Sequence, residues 1–357
     1  MKEYPLFDKI MPTNRRLGFE MEDYWVWCGS VIEGEDGRYH MFASRWSKKY
    51  PFFKGYVVSS EIVRASSDTP YGPYKFEEVV LGDRGEEFWD GRMTHNPNIL
   101  KYGDTYVLFY IGATYKGERP SVASLENGDR TVTDACYSTI RIGVATSKSI
   151  FGPWERRDTP VFDINPDSWD SSVVTNPSPC ILPDGKILLY YRSNAFGGLR
   201  IGVARAENLD SPFIRLTDEP IFGNEPGKTV EDTFVWWNGE NIELIAKDMN
   251  GDICGEKWGG IHMVSKDGIN FEPAKERKSY SRTVRFADGT EEVAFHLERP
   301  NMMIKDGKPF MMCFAYATAS EEYIKNINNL HATIDDPDDD FAGMEMSKTL
   351  IIPLETE

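Results

Sequence analysis

Five short stretches are polar or acidic where a β strand would ordinarily be apolar: WCGSVI (27–32), HNPNIL (95–100), TNPSPCIL (175–182), EDTFVW (231–236) and ERPNMM (298–303). Polar groups packed at a closed interior are costly without partners, so these stretches read as the floor of a solvated pocket. Two further segments share a longer pattern, FWDGRMTHNP (88–97) and SWDSSVVTNP (168–177), each Trp-Asp, five residues, Asn-Pro. The pattern puts Asp90 and Asp170 at equivalent positions. They are expected either as carboxylates at the pocket rim, able to exchange protons with a substrate, or as turn caps beside Trp residues that staple neighbouring sheets together. Glu231 adjoins Asp232, and two adjacent acids disfavour double ionisation, so Glu231 is expected to titrate high.

The elements that position these groups come from a repeat. A short apolar strand, a turn of Asp, Asn or Gly, and a longer aromatic-rich strand recur as SVIEGEDGRYHMFAS (30–44), NILKYGDTYVLFYIG (98–112), CILPDGKILLYYRS (180–193), FVWWNGENIELIAKD (234–248) and NMMIKDGKPFMMCFAYA (301–317). The Asp-Gly pairs supply the backbone freedom of a tight hairpin. A second strand-turn-aromatic signature follows, as EIVRASSDTPYGPYKF (61–76), RIGVATSKSIFGPWERR (141–157) and RIGVARAENLDSPFIRL (200–216), with GIHMVSKDGINFEP (260–273) as a weaker copy. Two hairpins in tandem make a four-stranded antiparallel unit. Unit starts at Cys28, Asn96, Asn176, Asp232 and Arg299 are spaced by 68, 80, 56 and 67 residues. The pattern predicts an all-β, five-bladed β-propeller of four-stranded antiparallel blades over 1–357, its first strands lining a central funnel. The fifth unit has no clear second hairpin after Thr318, and PLFDKI (5–10) is the expected source of its missing outer strand. The run DDPDDD (335–340) reads as a solvated acidic loop, with a cation site as the alternative.

Composition excludes several partners. With 40 Lys and Arg against 57 Asp and Glu, the net charge is −17, which repels nucleic acid and anionic membrane surfaces. No stretch reaches membrane-spanning length, and the opening residues have no signal-peptide character, which points to the cytoplasm, or to a periplasmic or secreted setting if a leader preceded this chain. Five scattered cysteines, Cys28, Cys136, Cys180, Cys254 and Cys313, form no metal-ligand spacing and suggest free thiols. No Gly-rich phosphate loop, GxSxG elbow or HExxH motif occurs. The oligomeric state is open.

The blade spacing, the Asp-Gly hairpins and the Gly-Pro-aromatic segments near 72–74 and 152–154 resemble the five-bladed propeller glycoside hydrolases, family 43 and its relatives in families 32, 62, 68, 117 and 130. The similarity covers nearly the whole chain. It implies a general acid in blade four, a base in the opening of blade one and a tuning Asp in blade three. Glu231 falls on the acid, but the base position falls on Cys28 and the tuning position on Asn176. The Glu-Asp-Pro-Arg segment of family 130 is only partly echoed in EDTF and ERPN.

The resemblance implies paired carboxyl groups about 5 to 9.5 Å apart across a glycosidic oxygen. Glu231, Asp90 and Asp170 are the expected catalytic set, with Glu22, Asp23 and Glu298 as replacements for the absent acids. Trp25, Trp27, His95, Asn96, Asn176, Asp232, His296, Glu298 and Arg299 are the expected substrate-binding set. His296 is a proton donor, a cation ligand or a structural histidine. Trp46, Trp89 and Trp169 join Trp25 and Trp27 as rings that stack on sugar or pack between blades. Arg45, Arg92, Arg192 and Arg299 form an expected clamp for an acidic or anhydro sugar. No cofactor is required, and the central channel has room for a divalent cation. The leading expectation is hydrolysis of a terminal sugar from an oligosaccharide. A non-hydrolytic sugar-binding protein and a uronate-directed lyase or phosphorylase are the alternatives.

Overall fold

The computed structural model describes residues 3–194, 198–223, 229–320, 322–324, 341 and 343–356. The acidic run 335–340 lies outside them. Each hairpin signature folds as the first two strands of a blade, and each second signature as the third strand leading into the fourth. Blade one is β1 (Tyr24–Glu33), β2 (Tyr39–Ser47), β3 (Glu61–Ser67) and β4 (Lys75–Leu81). Blade two is β5 (Met93–Tyr102), β6 (Thr105–Ala113), β7 (Arg141–Ser147) and β8 (Glu155–Arg156). Blade three is β9 (Thr175–Ile181), β10 (Ile187–Ser193), β11 (Arg200–Ala206) and β12 (Ile214–Arg215). Blade four is β13 (Val230–Trp237), β14 (Ile242–Asp248), β15 (Gly260–Ser265) and β16 (Glu272–Tyr280).

Blade five differs. After a small hairpin, β17 (Thr283–Arg285) and β18 (Glu291–Val293), come β19 (His296–Lys305), β20 (Lys308–Ala319) and β21 (Met344–Pro353), a three-stranded sheet. The N-terminal segment does run along its outer edge, from the end of the expected 5–10 stretch onward. Phe7–Lys9 is a 3-10 turn, and pairing begins at its end: Glu355 donates its N–H to the Lys9 carbonyl at 2.8 Å, Ile10 bridges Leu354, Met11 donates its N–H to the Pro353 carbonyl at 3.0 Å, and Phe19 and Thr349 exchange two bonds of 2.9 Å. The chain thus closes its ring where its two ends meet, and the last exposed ladder edge is covered.

First strands of successive blades pack on one another around the axis. Apolar clusters fill the spaces between blades, the largest joining blades two and three through residues such as Phe109, Val144, Leu189 and Tyr191. Two short helices, α1 (Phe52–Ser59) and α3 (Thr131–Ser138), interrupt blades one and two between their second and third strands, with α2 (Val122–Glu126) preceding α3. They pack together over the funnel: the Lys54 ammonium donates to the Leu125 carbonyl at 3.3 Å and the Cys136 thiol to Val57 at 3.2 Å. No described helix is long and apolar enough to cross a membrane. All five cysteines are free thiols.

Candidate active site

The five unit starts share one backbone conformation. Cys28, Asn96, Asn176, Asp232 and Arg299 have φ between 52° and 58°, and at each the ladder between the first and second strands slips by a bulge. Non-glycine residues seldom adopt this left-handed conformation, least of all Cys and Arg, and five equivalent cases indicate a shared demand. The bulge turns each side chain inward, and the five form a ring. The Cys28 thiol donates to Asn96 Oδ1 at 2.9 Å, Asn96 Nδ2 to Asn176 Oδ1 at 2.8 Å, and Asn176 Nδ2 to Asp232 Oδ1 at 2.8 Å. Arg299 closes it, with Nη1 2.7 Å from Asp232 Oδ1 and its N–H 3.0 Å from Oδ2, while its guanidinium also acts on the Cys28 sulfur. Burial pushes the Cys28 thiol up to about 12, so it stays neutral.

Above this ring opens a cavity of about 1000 Å³. His95, Asn96, Asn176, Glu231, Asp232, His296, Glu298, Arg299 and Trp27 all line it, together with Trp46 and with Phe52 and Tyr56 of α1. The sequence-expected substrate set is therefore assembled, apart from Trp25. That ring donates to the Tyr50 carbonyl at 3.3 Å and packs edge-on against Phe52 behind the wall.

A lysine that the sequence reading passed over organises the acids. Lys247 of β14 is 4% exposed and its Nζ lies 2.8 Å from both Glu231 Oε2 and Glu298 Oε1. The two carboxylate oxygens are thus no further apart than about 5.6 Å, the two contacts end to end. Arg192 forms an ion pair with the other oxygen of Glu231, and Glu298 also meets His296 Nδ1 at 3.1 Å. Burial alone would push the Glu231 carboxyl up, but Lys247 and Arg192 together outweigh it and hold it below the usual carboxylate range. Glu298 is likewise held low against burial by Lys247 and His296. Burial opposes the Lys247 ammonium, and the two glutamates more than restore it. The expectation that Glu231 titrates high is corrected by these two cations, which outweigh both burial and the repulsion from Glu298. His95 is pushed well below the ordinary histidine value by burial and by Arg299, and its Nδ1 sits 2.8 Å from the Ser60 hydroxyl.

Asp90 and Asp170 are not brought to the cavity. Both are fully buried behind it. Asp90 receives Arg84 Nε at 2.7 Å and the Tyr110 hydroxyl at 2.7 Å, and Asp170 receives Arg215 Nε at 2.7 Å and the Tyr191 hydroxyl at 2.9 Å. The preceding tryptophans stack on the same tyrosines, Trp89 on Tyr110 at 5.9 Å and Trp169 on Tyr191 at 5.7 Å between ring centres. Each ring also lies on the glycine of an RIGVA strand, where a Cβ on Gly143 would come within 2.6 Å of Trp89 and one on Gly202 within 2.7 Å of Trp169. The Trp-Asp repeat is thus a packing device used twice, its acids neutralised by arginines, and these two residues leave the expected catalytic set. Glu22 and Asp23 are exposed and outside the cavity lining. Of the expected arginine clamp, Arg45 pairs with Glu61 at 2.8 Å and Arg92 with Asp83 at 3.2 Å, both away from the cavity.

In the channel, the Arg299 guanidinium and the Lys247 ammonium stand against the acids. Among the described residues no group of three His, Cys, Asp or Glu side chains is disposed to hold a metal ion.

No family model matches the chain, and no curated protein matches it in sequence. Solved structures do match in three dimensions. Zg3597, a family 117 glycoside hydrolase from Zobellia galactanivorans, is 18% identical, with a TM-score of 0.62 over 97% of this chain and 89% of that one. The fold is that of glycoside hydrolases. BT0996, solved as an RGII complex, matches at 14% identity and a TM-score of 0.64, over 98% of this chain and 93% of that one. A thermostable family 43 glycoside hydrolase matches at 13% and 0.56, with the same coverage.

Proposed function

We propose that the protein is a glycoside hydrolase that removes a terminal sugar from an oligosaccharide. The observation that carries this reading is a blind cavity, closed at its floor by the five-residue ring, with Glu231 and Glu298 facing it about 5.6 Å apart or less. A closed floor favours a chain end over the middle of a polymer. The fold shared with solved glycoside hydrolases supports the same class.

The roles follow from charge. Glu231 is held ionised by Lys247 and Arg192, so it serves as the carboxylate that attacks the anomeric carbon or draws a proton from water. It is not the proton donor that the family resemblance implies. That role falls to His296, paired with Glu298 on the cavity wall; the glycosidic C–O bond breaks as the leaving oxygen takes the His296 proton, and water returns it. Lys247 keeps the two glutamates apart and ionised, and Arg192 fixes the Glu231 carboxylate. Trp27 and Trp46 belong to the cavity wall as buried rings packed edge-on against Phe52.

A sugar-binding protein without turnover is the second reading, favoured by Lys247 standing between the two carboxylates where a glycosidic oxygen would have to come. The two separate on one experiment. Terminal monosaccharides released from a panel of neutral, uronic and anhydro oligosaccharides are measured for the native protein and for Glu231→Gln. Release by the native protein and its loss in Glu231→Gln, with binding retained, supports hydrolysis. Binding without release by either protein supports the second reading, and equal release by both removes Glu231 from the chemistry.

A further inference from the structure

Among the described residues, six cationic side chains line the cavity, Arg130, Arg141, Arg192, Lys247, Arg282 and Arg299, against four acidic ones, Asp134, Glu231, Asp232 and Glu298, in a chain whose net charge is −17. Most of these cations are already matched. Arg192 and Lys247 hold Glu231, Arg299 holds Asp232, Arg130 pairs with Asp134 at 3.1 Å, and Arg141 pairs with Asp163.

Arg282 differs. Among the described residues its guanidinium has no carboxylate within ion-pair distance. It donates through Nη2 to the Ala294 carbonyl at 2.9 Å, and its carbon lies 4.7 Å over the ring of Trp258, another cavity residue. The nearby Glu256 is occupied otherwise, by the Arg282 backbone N–H at 2.9 Å, Lys278 at 3.0 Å and the Ser281 hydroxyl at 3.0 Å. Burial lowers the pKa of the guanidinium, as expected for a cation taken out of water without a counterion in contact.

Trp258 is held in place with some care. Its φ is 64°, in the left-handed region that a bulky residue rarely enters, and its N–H reaches the Asp248 carbonyl at 2.6 Å. The fully buried Asp248 carboxylate accepts the N–H groups of Gly251 and Ile253 at 2.8 Å each and of Cys254 at 3.0 Å, which ties down the loop that carries the ring. A rigid aromatic platform under a planar guanidinium fixes the plane of its remaining donors, the arrangement that suits a carboxylate or sulfate.

We infer that Arg282, seated on Trp258, receives the carboxylate or sulfate of an anionic sugar bound in the cavity. This assignment rests on the carbohydrate reading above and names its substrate class. It replaces the clamp expected from Arg45 and Arg92 by a residue on the segment between β16 and β17.

Calorimetric titration of short oligomers of galacturonic, glucuronic and mannuronic acid, each against its carboxyl-reduced neutral counterpart, tests it, with inorganic phosphate as a further arm. The native protein is expected to bind at least one charged oligomer about tenfold or more tighter than its neutral counterpart, as charge-assisted hydrogen bonds allow. In Arg282→Gln the two affinities converge, and Arg282→Lys retains part of the difference. An equal affinity for charged and neutral oligomers in the native protein, or an undiminished preference in Arg282→Gln, overturns the assignment while leaving the carbohydrate reading standing. Phosphate binding that is lost in Arg282→Gln, with no preference between the sugars, overturns it in favour of a phosphate co-substrate site. Binding of none of the oligomers overturns the carbohydrate reading and the assignment with it.

Discussion

Replacing Lys247 by Met tests how the acids of the site are held. The ammonium is 4% exposed and meets Glu231 and Glu298 at 2.8 Å each, so its removal leaves two buried carboxylates facing one another, with Arg192 and His296 as their cationic partners among the described residues. Breaking a buried ion pair by deleting one partner costs about 3–5 kcal/mol. With an unfolding entropy of about 2.1 cal/mol/K per residue, that loss lowers the melting temperature of a 357-residue chain by about 4–7 °C. The pH dependence separates this from simple loss of packing. In the native protein both glutamates titrate below the ordinary value, so the stability they add is complete above about pH 4.3 and fades as the pH falls below it. Without Lys247, burial and mutual repulsion raise at least one of them; its charge then opposes folding at neutral pH and is relieved as protonation sets in on acidification. Melting curves of both proteins at pH 7.5 and pH 5 should therefore show a gap that narrows at the lower pH. A gap of equal size at both values would refute the bridging role.

Asp90→Asn should cost about 3 kcal/mol, since it removes the fully buried carboxylate that Arg84 and Arg156 share, and should leave oligosaccharide binding and turnover as in the native protein; a melt and a rate measured side by side check it. Cys28, with its thiol raised to about 12, should resist iodoacetamide at pH 8 in the folded protein and react only once denaturant opens the ring, as mass spectrometry of the labelled peptide would report; rapid native labelling would contradict the closed ring.

The fold was legible because the propeller writes itself five times: the Asp-Gly hairpins and the polar strand openings fall on the observed blades, and the five unit starts coincide with the five left-handed residues of the axial ring. The site was legible where function interrupts a strand opening, as at Glu231, His296 and Glu298. It was not legible at Asp90 and Asp170, because a Trp-Asp pair looks the same whether it faces solvent or an arginine, and Arg84 and Arg215 lie in other segments. Lys247 left a signal that could have been read: a lone lysine directly after the largely apolar run IELIA, on a strand that is buried from end to end, needs an acidic partner. Its effect on Glu231 could not be read, because the sign of a pKa shift depends on which charges tertiary structure brings within a few ångströms. Arg282 and Trp258 carry no local pattern, since they meet only through the loop that Asp248 ties down.

A crystal structure of Glu231→Gln, soaked with whichever oligosaccharide the native protein cleaves or binds, tests the assigned site most directly. A terminal sugar is predicted to sit on the ring of Cys28, Asn96, Asn176, Asp232 and Arg299, with its glycosidic oxygen between residue 231 and His296. A sugar bound outside this cavity, or a glycosidic oxygen remote from both side chains, would contradict the assignment.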